Sequence, residues 1–191
     1  MSQDATSPVV FLDANILASA MKRHLILALA EAGLLYPRWS QKVLFETGHA
    51  HARIVSGQAG RDGAGEAARL VTALQAAYPE ASAGDNAPKP DGVGRLPDDD
   101  DRHVIEAAWA TQSDFILTEN IKDFPRKTLE PLGLYARRTS EFLGSELSKR
   151  PMVTQAALMV AGERLMLTPS RFALALRRAQ LGGVARKLGL A

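Results

Sequence analysis

Two short apolar runs punctuate the chain, and each ends abruptly in polar residues. Val9-Val10-Phe11-Leu12 is followed by Asp13, and Phe115-Ile116-Leu117, within 114–118, is followed by Thr118, Glu119 and Asn120. Both runs are rich in β-formers and too short for a helix, so each predicts a buried strand. Between and beyond them, apolar residues recur at helical spacing. Asn15 is predicted to cap a helix running to about residue 32, with Gly33 as its stop. Residues 34–39 read as a short extended segment or turn. Ser40 suits the N-cap of a helix from 41 to about 55 that carries Val43, Leu44 and Glu46. Four glycines within 57–65 predict a loop, and Ala67, Leu70, Val71 and Leu74 predict a helix over 65–78. The Pro-, Gly-, Asp- and Asn-rich stretch 79–97 predicts a mobile loop.

Four aspartates, Asp98, Asp99, Asp100 and Asp101, then open a helix to about residue 111, where acids complement the positive end of the helix. Residues 132–136 form a third candidate strand, and Thr139 can cap a helix holding Phe142, Leu143 and Leu147. Two further helices are expected over 152–165 and 169–188, the second begun by the pair Thr168-Pro169. Strands that alternate with helices predict an α/β fold with a parallel sheet. No strand is expected after Ala136. The chain therefore divides into a sheet-bearing unit, 1–148, and a C-terminal helical extension, 149–191.

Composition narrows the chemistry. The 191 residues contain no cysteine, which excludes thiolate metal sites, disulfides and cysteine nucleophiles. That agrees with a reducing cytoplasm. No signal peptide and no membrane span are expected. The overall charge of +2 hides an imbalance. From Arg137 onward ten Lys or Arg oppose three acids, a net of +7, and the rest of the chain carries −5. An acidic centre that holds cations beside a basic surface that faces a polyanion would show this split.

In an open α/β sheet, ligands bind beyond the carboxyl ends of the strands. Asp13 ends one strand, Thr118 to Asn120 end another, and Asp101 opens the helix leading into the second. Gathering carboxylates costs energy unless a cation or proton compensates. Oxygen-rich sites of this kind suit Mg²⁺ or Mn²⁺, which activate water for attack on a phosphodiester. Ile105 and Ala108 continue the face of Asp101, so that stripe can dock on the sheet and hold Asp101 at its rim. Glu46 follows Val43 and Leu44 on an amphipathic helix and can reach the same rim.

Four segments together resemble the PIN-domain family, and in particular VapC-like toxins of bacterial toxin–antitoxin pairs. They are residues 9–17, 39–46, 98–108 and 116–125, which come in the family order over about residues 8–147. The resemblance implies a PIN-like α/β/α sandwich around a mostly parallel sheet. It implies a metal-dependent endoribonuclease acting on single-stranded or structured RNA, with Asp13, Glu46 and Asp101 as catalytic acids and Mg²⁺ or Mn²⁺ ligands. Asp98 is a neighbouring acid. The fourth acid of many members falls on Asn120, and Asp123 is placed to compensate. Asn15 and Thr118 are auxiliary polar groups. By the same resemblance the partners are RNA, a small antitoxin protein and a second copy of the chain, in the cytoplasm.

Each of these residues also has a plainer role. Asp13 can be a helix cap, Glu46 a solvated helix residue, and the aspartate run a helix-start charge, with Asp101 the favoured ligand among the four. Thr118 can cap a strand end, and Asn120 and Asp123 can build the turn before Phe124-Pro125. His103 suits a structural or surface position. Arg171, Arg177, Arg178, Arg186 and Lys187 fit RNA, an acidic antitoxin segment or solvent alike. Two alternatives compete with the nuclease. One is a catalytically weak PIN-like RNA-binding or regulatory protein, suggested by Asn120. The other is a phosphatase-like protein with an aspartyl nucleophile at Asp13, which would want an acid where Asn15 stands.

Overall fold

A computed structural model describes residues 7–84, 88–90, 93–94 and 96–190. Val9–Leu12 forms β1, with Val10, Phe11 and Leu12 fully buried, as expected for a central strand in a parallel sheet. Two helices follow, α1 (Ala14–Ala18) and α2 (Ala20–Glu31), and then β2 (Tyr36–Ser40), α3 (Gln41–Ser56), α4 (Gly63–Ala77) and β3 (Ser82–Ala83). A 3₁₀ turn over Asp99–Asp101 leads into α5 (Arg102–Ala110), and β4 is Phe115–Leu117. The chain continues through α6 (Arg126–Leu129) and β5 (Ala136–Arg137). It closes with α7 (Thr139–Lys149), α8 (Pro151–Arg164), α9 (Pro169–Arg178) and α10 (Gly182–Lys187).

Among the described residues, five strands form one sheet, all parallel, in the order β3-β2-β1-β4-β5. Helices flank this sheet in the PIN-like α/β/α arrangement, and the C-terminal helices are present. The chain steps outward in one direction from β1 to β3, then crosses back to β4 and β5. Right-handed crossovers then place the helices of the two halves on opposite faces. The direction reverses between β1 and β4, which are hydrogen-bonded neighbours in register Val10 to Phe115 and Leu12 to Leu117. A crevice outside the carboxyl ends of those two strands is where such sheets bind ligands.

Several local expectations need revision. The helix expected from Asn15 to about residue 32 is broken at Ser19, whose backbone is extended. The carbonyls freed at the end of α1 are taken by Arg23, whose Nη1 donates to Leu17 O at 2.5 Å. Ser19 restarts the helix by accepting from the Lys22 amide. Asp13, not Asn15, occupies the N-cap position of α1. Segment 34–39 resolves as strand β2. The third candidate strand, expected over 132–136, is only two residues long and starts four residues later, at Ala136–Arg137. Thr139 is the first residue of its helix, with Arg138 in the cap position. The single helix expected over 169–188 is two helices. Gln180 adopts φ 63°, and Leu181 N donates to Leu176 O at 2.8 Å, which closes α9 with a left-handed turn. In the stretch expected to be mobile, residues 85–87, 91–92 and 95 lie outside those described. Its start forms β3, paired through Trp39 to Ser82.

The C-terminal helices share the central core. Leu158, Ala161, Phe172 and Leu176 are buried in the same apolar cluster as Val10, Leu25 and Leu29. Arg150 ties the junction down. Its Nε donates to Glu146 Oε2 at 2.9 Å, its Nη2 to Leu34 O at 3.1 Å, and its Nη1 to Ser7 Oγ at 3.3 Å. Glu146 is buried, so Arg150→Ala would leave an unpaired carboxylate and an orphaned carbonyl. Breaking a fully buried pair costs roughly 3–5 kcal/mol. Because Arg150 is partly exposed, urea unfolding of this variant should show a loss of about 2 kcal/mol. A loss below roughly 0.5 kcal/mol would mean that this contact does not anchor the extension.

Candidate active site

The site begins where β1 and β4 end. Asp13 N donates to Leu117 O at 3.1 Å, so pairing of the two strands runs one residue past β1. Asp13 and Thr118 therefore emerge side by side, both buried. Thr118 Oγ1 donates to Asp13 Oδ2 at 2.6 Å. The same hydroxyl accepts from Asn15 Nδ2 and from Asn120 N, each at 3.0 Å. Asn15 Nδ2 also donates to Asp13 Oδ2, and Asn15 Oδ1 accepts from Glu119 N at 3.1 Å. Asn15 and Thr118 thus lock the Asp13 carboxylate in place, and they splint the loop after β1 to the loop after β4.

Burial is the main force that pushes the Asp13 carboxyl above the usual range. The Thr118 hydroxyl and the Ala14 amide pull it back, Glu46 adds repulsion, and His103 relieves some of it. Asp101, at the end of the 3₁₀ turn, is pushed up to about 6. Burial again leads, followed by the negative charges of Asp13, Asp123 and Asp98, with His103 opposing. These acids come from residues 13, 98, 101 and 123 in sequence, and the fold sets them within electrostatic reach of one another.

The remaining expected residues divide clearly. Glu46 reaches this side from α3 and pairs with His103 Nε2 at 2.9 Å. Asp123 is buried, and its Oδ2 accepts from Asn120 Nδ2. Asp98 is exposed and caps the 3₁₀ turn by accepting from Asp100 N at 3.0 Å. Asp99 pairs with Arg102 at 2.7 Å, and Asp100 is exposed. In the tail, Arg171, Arg177 and Arg186 are exposed. Lys187 docks α10 on α7 through Gly144 O at 2.8 Å and Ser148 Oγ at 2.7 Å. Arg178 lines a cavity with Lys22, Glu119 and Arg138.

His103 is a site residue that the sequence did not disclose. Its partner Glu46 lies on another helix, so no local pattern signals the pair. Its Nδ1 is buried without a hydrogen-bond partner among the described residues. Lys22 and Arg138, clustered around Glu119, were missed for the same reason.

The donor chemistry fits a hard divalent cation. The acids are oxygen donors, and their mutual repulsion is what a cation would relieve. Among the described residues, no three His, Asp or Glu converge as a closed chelating group. Mg²⁺ sites of the phosphoryl-transfer type commonly use one or two carboxylates and complete their shell with water and substrate oxygens.

Fold and site together define a parallel α/β protein with an acidic centre at the reversal point of its sheet. The sequence profile of the PIN domain matches residues 9–122, more than half of the chain, and the chain belongs to the PIN-domain family. PIN domains are typically metal-dependent nucleases that act on RNA, and the family generally uses divalent ions. No curated protein and no solved structure matches the chain. Among the described residues, no helix is long and apolar enough to cross a membrane.

Proposed function

We propose that this protein is a divalent-metal-dependent endoribonuclease, and that it is the VapC-like toxin of a toxin–antitoxin pair. The observation that carries the nuclease reading is the approach of Asp101 to Asp13, which helps to raise the Asp101 carboxyl to about 6. Two acids held together at such a cost point to a cation. Asp13 and Asp101 would hold Mg²⁺ or Mn²⁺, with Glu46, Asp98 and Asp123 adding negative charge around them. When bound, the ion supplies an activated water and offsets the charge that builds on the phosphate.

The chain's own residues prepare that site. Thr118 and Asn15 orient Asp13, so its carboxylate need not reorganise when substrate arrives. Asp123 takes the place of the missing fourth acid, a reading supported by the hydrogen bond that it accepts from Asn120 Nδ2. His103 holds Glu46 at the edge of the centre. Residues 1–148 form the nuclease unit and 149–191 an extension docked on it. The toxin assignment rests on the four resembling segments. It brings with it a small antitoxin protein, a second copy of the chain and a cytoplasmic setting.

The direct test is cleavage of a labelled single-stranded RNA by the purified protein. Cleavage is expected with Mg²⁺ or Mn²⁺ and should cease on addition of chelator. RNA that is bound yet intact in both ions would point instead to a catalytically weak RNA-binding protein, for which the amide at Asn120 in place of an acid is the motive.

A further inference from the structure

We infer that the cavity walled by Lys22, Arg138 and Arg178 is a phosphate subsite for the RNA strand that crosses the acidic centre. This rests on the nuclease reading and specifies where the strand runs. The cavity has a volume of about 470 Å³ and brings together residues from α2, the loop after β4, the turn before α7 and the end of α9. Three cations face it against one acid, Glu119.

Two of the cations are already held. Lys22 Nζ lies 3.1 Å from Glu119 Oε1, in an ion pair without hydrogen-bond geometry. Arg138 Nη1 donates to Glu119 O at 2.9 Å and lies 3.8 Å from its Oε2. Glu119 thus sets the positions of Lys22 and Arg138 but neutralises only one positive charge. Arg178 makes no ion pair among the described residues. It is exposed in the last turn of α9, just before the left-handed Gln180 that reverses the chain.

The cavity adjoins the acidic centre. The Glu119 amide is bonded to Asn15, and Asn15 is bonded to Asp13. A strand with one phosphate at the acids can therefore place a neighbouring phosphate among these cations. Repeating charge is what such a surface selects. An RNA phosphate meets the carboxylates through a cation and the cavity directly. An acidic protein segment has a counterpart at the cavity but none at the carboxylates. The C-terminal extension thereby contributes to substrate binding through Arg178.

The test is fluorescence anisotropy with a labelled single-stranded RNA of about twelve nucleotides, in chelator and low salt so that nothing is cut. The full-length protein is compared with Arg178→Ala, Arg178→Lys and Arg171→Ala. Arg171 lies at the other end of α9 and does not line the cavity. Arg178→Ala is expected to bind roughly tenfold more weakly and to lose about 0.7 from the slope of log affinity against log salt, the value for one phosphate contact on a single strand. Arg178→Lys should recover most of the affinity. Thermal unfolding of Arg178→Ala should match wild type, because the side chain is exposed.

Unchanged affinity in Arg178→Ala overturns the subsite, as does an equal loss in Arg171→Ala, or a wild type that binds no RNA. A loss confined to a Glu-rich peptide, with RNA affinity intact, assigns the cavity to a protein partner and also overturns it. Arg178-dependent binding by a protein that cuts nothing in Mg²⁺ or Mn²⁺ sinks the nuclease reading and leaves the subsite standing. Cutting with Arg178-independent binding does the reverse.

Discussion

Asp13→Asn is expected to slow RNA cleavage at least a hundredfold while the fold stays intact. A hundredfold loss corresponds to roughly 3 kcal/mol of transition-state stabilisation, a reasonable contribution for a carboxylate that holds the ion at which charge develops. Substitution by the amide keeps the shape and keeps an oxygen that can accept from Thr118. What disappears is a buried negative charge. Burial is the largest cause of the raised Asp13 carboxyl, so the ionised group is a burden on the folded state at neutral pH. Thermal unfolding in chelator should therefore be unchanged or raised. A variant that cuts within threefold of wild type would remove Asp13 from the catalytic set. A variant that unfolds several degrees lower would assign it a structural role through the Thr118 and Asn15 network.

Asp101→Asn should show the opposite signs of activity and stability still more clearly. Its cleavage rate should also fall a hundredfold or more, roughly 3 kcal/mol. Its stability should rise at neutral pH. The carboxyl titrates at about 6 in the folded protein against 3.8 in an unfolded chain, so the folded state binds the proton more tightly. Stability then falls as pH rises from about 3.8 to about 6, and the deficit is present in full above that window. The difference between 3.8 and about 6 corresponds to roughly 3 kcal/mol. Asp101 is only half-buried, and solvent screening reduces the benefit of removing its charge to about 1 kcal/mol at pH 7.

Unfolding temperatures in chelator between pH 4 and pH 8 would show this as a flatter profile for the variant. Saturating Mn²⁺ should reverse the order of stability. An ion at a hundred times its Kd stabilises the folded state by about 2.7 kcal/mol, and the variant should recover less. Equal gains from Mn²⁺ in the two proteins would place the ion away from Asp101. Parallel pH profiles would deny Asp101 its proximity to the other acids.

The parts of the fold that were legible in the chain are those governed by near neighbours. Val9–Leu12 and Phe115–Leu117 announce themselves as buried strands because runs of β-formers are locally unambiguous. Ser40 and Thr168 mark helix starts because a hydroxyl three residues before a free amide satisfies it wherever it occurs, and both side chains do so here. Asp13 was legible for the same reason, since an acid at the carboxyl end of a buried strand must sit at the rim of the sheet.

Other features carry no local signature. The strand β3 has two residues, too few to show alternation, and it exists because a neighbouring strand offers it a partner. The break at Ser19 depends on Arg23 taking carbonyls that a longer helix would have used itself. The turn at Gln180 required a left-handed residue that was not glycine.

By itself the sequence determined the parallel α/β class, the helix starts at Ser40 and Thr168, the absence of thiol chemistry, the basic tail and the candidacy of Asp13, Glu46 and Asp101. Capping, periodicity and composition act over a few residues, so these are present before the chain folds. Only the tertiary structure decided the strand order that sets Asp13 beside Thr118, the electrostatic coupling of Asp101 to Asp13 and Asp123, and the pairing of His103 with Glu46. It alone brought Lys22, Arg138 and Arg178 to one cavity beside the acids. Coulomb forces and hydrogen bonds act through space, and distance in space between residues far apart in the chain is set when the sheet and its helices pack.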